Sequence, residues 1–166
     1  MKEKSERAAW LEQAMARHEE SLLRMCFAYL GDAALAEDAV QETFVKAYRA
    51  LPDFRGEAQE KTWLTRIAIN TCKDVRRGAW FRHVDRRAAV DALEISAPCA
   101  EYDDTLARAV MGLKRKYREA VLLCYYQGLN GQEAAEALGV TRAAVHNRLQ
   151  KARAILRKEL EAWYDG

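Results

Sequence analysis

Four polar residues have the types and the spacing of a phosphate-binding surface. They follow one another at steps of four, three and four, which places them on one face of a helix: Arg66, Asn70, Lys73 and Arg77. Residues 61–87 around them carry eight Lys or Arg against two Asp. Such a row of cations can neutralise nucleic-acid phosphates. A single basic helix face is more often only a solvated surface, so this row alone leaves both interpretations open.

A second basic segment, residues 141–158, contains six Lys or Arg and no Asp or Glu. Just before and inside it, three residues have the spacing of a helix-turn-helix: Ala135, Gly139 and Val145. The small residue lets two helices approach, the glycine makes the left-handed turn, and the apolar residue packs the second helix back. A helix that begins after Thr141, its predicted N-cap, could therefore enter a DNA major groove.

Asp38, Gln41 and Glu42 form an acidic, amide-bearing face at helical spacing. Paired carboxylates can do general acid–base chemistry, but no His, Ser or Cys partner lies within sequence reach of this pair. We therefore expect no catalytic residue here, and the face is either plainly solvated or a surface for a basic partner.

No metal site, disulfide framework or cofactor is predicted. The histidines fall in three different segments: His18, His83 and His146. The four cysteines lie far apart without a CxxC pair: Cys26, Cys72, Cys99 and Cys124. Neither spacing matches that of metal ligands or of a redox motif.

Apolar residues at helical spacing predict three helices in the first half, over residues 8–30, 34–51 and 62–77. The expected boundary residues are Gly31 with Asp32, then Pro52, Thr62 as an N-cap and Gly78 as a stop. The third helix is expected to turn four residues inward: Trp63, Ile67, Thr71 and Val75. In the second half, two short helices centred on the apolar residues Leu106–Leu113 and Tyr117–Tyr125 precede one capped by Asn130.

Composition agrees with an all-α fold. The 166 residues are 50% hydrophobic and 31% charged, with two prolines and a net charge of +2. The chain lacks a window of about 18 apolar residues and the apolar core of a signal peptide, which predicts a cytoplasmic protein without membrane insertion. Residues 88–107 carry no Lys or Arg. We expect two small helical domains, 1–78 and 104–166, joined by an acidic linker, 79–103, with the helix-turn-helix in the second.

Two segments resemble one known family. Residues 36–77, AEDAVQETFVKAYRALPDFRGEAQEKTWLTRIAINTCKDVRR, and residues 113–160, LKRKYREAVLLCYYQGLNGQEAAEALGVTRAAVHNRLQKARAILRKEL, are similar to the extracytoplasmic-function group of bacterial sigma factors. These RNA polymerase subunits recognise promoters and are not enzymes. The resemblance extends over roughly residues 11–160, in the family's order.

The resemblance implies roles for individual residues. Core polymerase would bind the D-x-x-Q-E-x-F block through Asp38, Gln41 and Glu42, with Phe44 turned inward. Minus-ten DNA would meet the helix bearing Arg66, Asn70, Lys73 and Arg77, and a loop that captures a flipped base: Phe54, Arg55, Gly56, Glu57, Ala58 and Gln59. Minus-thirty-five DNA would meet the last helix through Thr141, Arg142, His146, Asn147, Arg148 and Lys151.

The implied partners are core RNA polymerase, promoter DNA and an anti-sigma factor, in a stress or envelope response. Two positions depart from the family pattern: Asn130 stands where Ser or Thr is common, and Ala135 where Ile is common. A stand-alone helix-turn-helix regulator is the alternative, but it has no need for a second DNA-contacting region. A thiol enzyme or redox sensor would require one cysteine that is alkylated far faster than the others.

Overall fold

The computed structural model describes residues 2–85 and 104–165, and the regular elements in these two ranges are all helical. Three helices form the N-terminal half: α1 (Lys2–Leu30), α2 (Ala33–Ala50) and α3 (Glu60–Asp85). Four form the C-terminal half: α4 (Asp104–Gly112), α5 (Arg115–Val121), α6 (Gly131–Leu138) and α7 (Arg142–Asp165). The all-α prediction is confirmed. Within the described ranges, no helix is long and apolar enough to span a bilayer.

Local signals set the first two helix boundaries where the sequence predicts them. Gly31 has φ of 70° and donates its N–H to the carbonyl of Phe27 at 2.8 Å, which closes α1. Asp32 caps α2 by accepting the N–H of Leu35 at 3.0 Å. The core between the first three helices is built from large buried side chains, among them Leu22, Met25, Tyr29, Val40, Phe44, Leu64 and Ile69.

The predicted ends of the third helix are wrong. Gly78 does not stop α3, which continues to Asp85, and its φ is not in the left-handed region that a glycine stop adopts. A glycine inside a helix costs only about 1 kcal/mol, which neighbouring helix-forming residues offset. The helix starts at Glu60, so Thr62 is not its N-cap. Of the predicted linker, the segment after Asp85 lies outside the described residues.

The buried face of α3 is also rotated from the predicted one. Thr71 is buried as expected, but Trp63, Ile67 and Val75 are only half-buried. The most deeply buried positions are Leu64, Thr65, Ala68, Ile69 and Cys72. The reason is that α3 packs against α1 and α2 on one side and against α6 on another, which widens its buried arc.

A π-helical turn, Leu122–Tyr126, follows α5 and changes the register of the residues after it. The N–H of Gln127 bonds to the carbonyl of Leu122 at 3.1 Å, one residue further back than in an α-helix. The apolar Tyr125 is 53% exposed, whereas the polar Gln127 is 2% exposed. Leu106 on α4 is likewise exposed, at 46%.

The two halves are in contact. Helix α1 packs against α4 and the π-helical turn, and α3 packs against α6. One cluster of buried hydrophobic residues includes members of both halves.

Candidate nucleic-acid interface

Helix α2 presents the predicted acidic face to solvent. Asp38, Gln41 and Glu42 are all exposed, while Phe44 is buried in the core. Val45 lies on the same face, seven residues after Asp38, and is 41% exposed. Sequence reasoning missed this residue, although its spacing places it beside the carboxylates. The face therefore combines two negative charges, an amide and an apolar side chain.

The loop before α3 is anchored by aromatic stacking. The centroid of the Phe54 ring lies 4.3 Å from that of the Trp63 ring, with 20° between the two ring planes. The ring centroids of Trp63 and Trp10 lie 6.0 Å apart. Four of the six predicted loop residues are exposed, namely Arg55, Gly56, Glu57 and Gln59, while Phe54 and Ala58 are half-buried. Gly56 has φ of 72°, which explains a glycine at the tip of this turn.

Glu60, the first residue of α3, fixes the start of the helix against α1. Its carboxylate accepts hydrogen bonds from Arg17 at 2.7 Å, His18 Nε2 at 2.9 Å and Trp10 Nε1 at 3.0 Å. Burial alone raises the pKa of Glu60, but these hydrogen bonds outweigh it and lower the pKa below its usual value. The three donors lie more than 40 residues away along the chain, so no local pattern predicts this cluster.

The predicted basic face of α3 is only partly open. Arg66, Asn70 and Arg77 are exposed. The Lys73 side chain is 19% exposed, and its Nζ lies 3.8 Å from a carboxylate oxygen of Glu119 on α5. The structure thus points three of the four residues to solvent and brings the fourth to the C-terminal half.

The helix-turn-helix prediction is confirmed in its backbone details. Asn130 caps α6 by accepting the N–H of Glu133 at 2.8 Å, and the Glu133 side chain returns to the N–H of Asn130 at 3.5 Å. Gly139 follows with φ of 67°, the left-handed conformation expected of the turn. Thr141 Oγ1 then accepts the N–H of Ala144 at 3.1 Å and caps α7.

The first turns of α7 present polar and basic side chains to solvent. Five of the six predicted residues are exposed, namely Thr141, Arg142, His146, Asn147 and Lys151, and Arg148 is half-buried. Further along, the guanidinium of Arg153 lies over the ring of Tyr125 at 5.4 Å and donates to its hydroxyl. Arg153 is therefore held against the π-helical turn.

The three thiols within the described ranges lack the character of nucleophiles. Cys26 and Cys72 are buried, and a hydrogen bond with Cys26, together with burial, raises the pKa of Cys72 far above its ordinary value. Burial also raises the pKa of Cys124, which is half-buried. Cys99 lies outside the described residues. A reactive thiolate requires the opposite shift.

Both halves of the chain match known protein families. A family profile for sigma-70 region 2 matches residues 14–93, and one for sigma-70 region 4 matches residues 103–156. The ECF RNA polymerase sigma factor SigL of Mycobacterium tuberculosis is 32% identical over 93% of this chain and 90% of its own length.

Two solved structures share the fold. CnrH, in complex with the cytosolic domain of CnrY, is 32% identical, with a TM-score of 0.69 over 92% of this chain and 88% of its own. The sigma factor RpoE of Bartonella quintana, in complex with the anti-sigma factor NepR, has a TM-score of 0.78 at 24% identity, over 90% of this chain and 96% of its own. With both sigma-70 regions present in order and a relative of the extracytoplasmic-function (ECF) group at 32% identity, the chain belongs to the extracytoplasmic-function group of the sigma-70 family of RNA polymerase sigma factors.

Proposed function

We propose that this chain binds core RNA polymerase through α2 and promoter DNA through two separate helical surfaces. The minus-ten surface comprises the loop 54–59 and the basic face of α3. The minus-thirty-five surface comprises the first turns of α7. The observation that carries the proposal is the match of both sigma-70 regions, in order, to one chain whose predicted contact residues are mostly exposed.

The chemistry of each surface suits its proposed partner. The acidic face of α2, with Asp38 and Glu42 beside the exposed Val45, is complementary to a basic helical partner on the polymerase. Arg66 and Arg77 can neutralise phosphates of the minus-ten strand. The loop that Phe54 anchors would hold a base taken out of the duplex, which costs a few kcal/mol that these contacts must offset.

The last helix divides into two kinds of contact. Arg142 and Asn147 lie in its first two turns, where side chains of a groove-inserted helix reach base edges. Arg142 and Arg148 present guanidinium groups, which suit guanine edges and phosphates, and Asn147 suits adenine. The capped start of α7, fixed by Thr141, sets the angle at which these side chains project.

The chain is proposed to act without catalysis of its own, in the cytoplasm, where the polymerase is. An anti-sigma factor is a further proposed partner. It is supported by the likeness of the fold to RpoE in complex with NepR. The regulon is proposed to serve a stress or envelope response.

The proposed domain division places 1–78 and 104–166 on either side of the acidic segment. Limited proteolysis of the free chain should cleave first within residues 88–104, and addition of core polymerase should protect that segment. A free chain without preferred cleavage there would indicate a single fused domain.

Run-off transcription tests the proposed function directly. Purified core polymerase is incubated with genomic fragments, with and without the full chain, and the transcripts are sequenced. We expect discrete start sites that appear only when the chain is present. If the chain binds DNA but adds no transcript in the presence of core polymerase, the regulator alternative is favoured and the sigma assignment of its surfaces is wrong.

A further inference from the structure

The loop before α3 is fixed at both ends by the same residue of that helix. At its start, Phe54 donates its N–H to the carbonyl of Leu51 at 3.1 Å and stacks its ring on Trp63. At its end, the carbonyl of Gln59 accepts the N–H of Trp63 at 3.0 Å. The tip of the loop, residues 55–57, is exposed. The placement of the first turn of α3 therefore decides where the open tip lies.

The first turn of α3 is in turn fixed by α1. Glu60, the residue directly after the loop, accepts three hydrogen bonds from side chains of α1. The donors are Arg17 at 2.7 Å, His18 Nε2 at 2.9 Å and Trp10 Nε1 at 3.0 Å. The ring of Trp10 also lies against that of Trp63, with 6.0 Å between the centroids. Helix α1 thus contacts both residues of α3 on which the loop depends.

This arrangement holds the Glu60 carboxylate in one orientation. Trp10 lies two turns of α1 before Arg17, so the donors approach the carboxylate from separate points along the helix. The Glu60 side chain is 25% exposed, and water competes only in part for these bonds. A loop that is ordered in advance loses less conformational entropy when it takes up a ligand. That saving matters for a base, because the pocket must offset the cost of unstacking it.

We propose that Glu60 and the N-terminal half of α1 position the base-capture loop, so that contacts far from the DNA set how strongly the chain retains a flipped base. The inference rests on the proposed function, because it takes loop 54–59 as the capture site. Glu60 is a positioning residue, since it acts through Trp63 and the loop backbone. Loss of this anchor should weaken base capture and leave the phosphate contacts of α3 unchanged.

Binding of abasic DNA by the complete complex of the chain with core polymerase tests this role. The probe is a fluorescent single strand that carries the minus-ten sequence of a promoter mapped by run-off transcription. In a series of such strands, one base at a time is removed, and anisotropy gives each Kd at constant salt. The ratio of the abasic Kd to the intact Kd reports base capture alone, because both strands carry the same phosphates.

Glu60→Ala should lower this ratio selectively. For the wild type, we expect one position at which removal of the base raises the Kd at least about tenfold. Glu60→Ala should reduce that ratio at least about threefold and leave the Kd for the abasic strand within about twofold of wild type. An unchanged ratio in the folded variant overturns the proposal. So does an equal loss of affinity for the intact and abasic strands.

A destabilised control separates positioning from a general loss of stability. Tyr29→Phe removes a buried hydrogen bond to Glu119 on the other side of α1's sequence, outside the cluster around Glu60. It should keep the wild-type ratio. If Tyr29→Phe lowers the ratio as much as Glu60→Ala does, stability alone explains the effect and the proposal is overturned.

A milder variant keeps the test available if Glu60→Ala does not fold. Arg17→Gln removes one donor whose side chain is 49% exposed, and it should lower the ratio by about twofold. Arg24→Gln is the matched control, because Arg24 on the same helix is 48% exposed and pairs with Glu20. Its ratio should equal that of the wild type. Equal ratios in the wild type and both arginine variants overturn the proposal.

The same measurements separate this inference from the proposed function. If the wild type gives no promoter-specific transcript, the proposed function fails. If it transcribes but no abasic position raises its Kd, base capture by the loop fails, and the positioning role fails with it. If the wild type shows the abasic penalty and the Glu60 and Arg17 variants retain it in full, only the positioning role fails.

Discussion

The hydroxyl of Tyr29 donates a 2.9 Å hydrogen bond to the carboxylate of Glu119, a residue 90 positions further along the chain. Burial, followed by the charge of Glu119, raises the pKa of Tyr29 above its ordinary value, so the phenol remains a donor at physiological pH. This one bond links the end of α1 to α5. It makes the charge of Glu119 tolerable at a position nearly closed to water.

Tyr29→Phe should destabilise the chain by about 1.5–3 kcal/mol, because hydrogen bonds to charged groups contribute that much and Glu119 would stay buried with one donor fewer. Urea denaturation followed by circular dichroism measures the change. Tyr48→Phe is the matched control: Arg7 contacts the Tyr48 ring and carbonyl, not the hydroxyl. Equal losses of unfolding free energy in Tyr29→Phe and Tyr48→Phe would show that the hydrogen bond from Tyr29 to Glu119 does not itself stabilise the chain.

Reversing two charges on α2 should weaken binding to core polymerase. Asp38→Lys with Glu42→Lys turns an acidic face basic and should raise the Kd at least about tenfold through like-charge repulsion. Stability should change by about 0.5 kcal/mol or less per site, since both residues are exposed. Glu12→Lys with Glu19→Lys, exposed on α1, applies the same change in net charge elsewhere. Wild-type affinity in the folded α2 variant contradicts the assignment of this face.

The lowered pKa of Glu60 predicts how stability depends on pH. A carboxyl whose pKa is depressed by folding stabilises the chain above its unfolded pKa, and the contribution is lost as pH falls through the folded value. At neutral pH, Glu60→Gln should cost about 1–3 kcal/mol, because three donors lose a charged acceptor. The difference in free energy of unfolding between the wild type and Glu60→Gln should shrink as pH falls below the ordinary glutamate pKa of about 4.3.

Urea unfolding of both proteins between about pH 5.5 and pH 3 measures this shrinkage. Glu12→Gln, at an exposed site on α1, serves as the control. A difference that stays constant over the whole range would mean that the cluster around Glu60 stabilises the chain by packing and not through the charge of the carboxylate.

Thiol alkylation should distinguish buried cysteines from the half-buried one. Cys72 and Cys26 should react only when the chain unfolds, because both are buried and the pKa of Cys72 is strongly raised by its hydrogen bond with Cys26 and by burial. Cys124, half-buried, should react earlier. Mass spectrometry after timed alkylation gives the rate at each thiol. Fast modification of Cys72 in the folded chain would support the redox-sensor alternative.

Much of the local structure follows from neighbouring residues. Asp32, Asn130 and Thr141 cap helices because a short polar side chain stands before each helical run, and Gly139 supplies the left-handed turn. These signals operate within four residues. The exposed acidic face of α2 follows equally from helical periodicity.

The contacts between the halves could not be predicted in this way. Gln127 becomes buried because a π-helical turn shifts the register, and a search for 3.6-residue periodicity misses such a turn. Lys73 has the spacing of a solvent-facing cation, but its surroundings are set by Glu119, 46 residues further along the chain. Thr62 resembles a helix cap in sequence and instead binds Glu133. Each of these outcomes depends on contacts between distant parts of the chain, and the periodicity of one local segment does not predict such contacts.

The last helix should contain both base readers and phosphate contacts. Arg142 lies in the first turn of α7, where it can reach a base edge, whereas Arg153 lies about three turns further and is held by Tyr125. Arg142→Ala should relax the preference at one or two promoter positions, at a cost of about 1–3 kcal/mol on the cognate sequence. If Arg153 contacts a DNA phosphate, Arg153→Ala should weaken binding to all promoter sequences alike. It should also lower the slope of the log binding constant against log salt concentration by about one or less.

Both variants are best compared in the polymerase complex, on a library randomised over the minus-thirty-five element. Because α7 enters the groove by its N-terminus, the position-specific loss should belong to Arg142 alone, and the Arg153 variant should keep the wild-type order of preferred sequences. A Gln150→Ala variant, exposed between the two, gives the effect of truncating a neutral side chain on the same helix. A uniform loss from Arg142→Ala, indistinguishable from that of Arg153→Ala, would show that the first turn of α7 contacts the backbone and that sequence is read elsewhere.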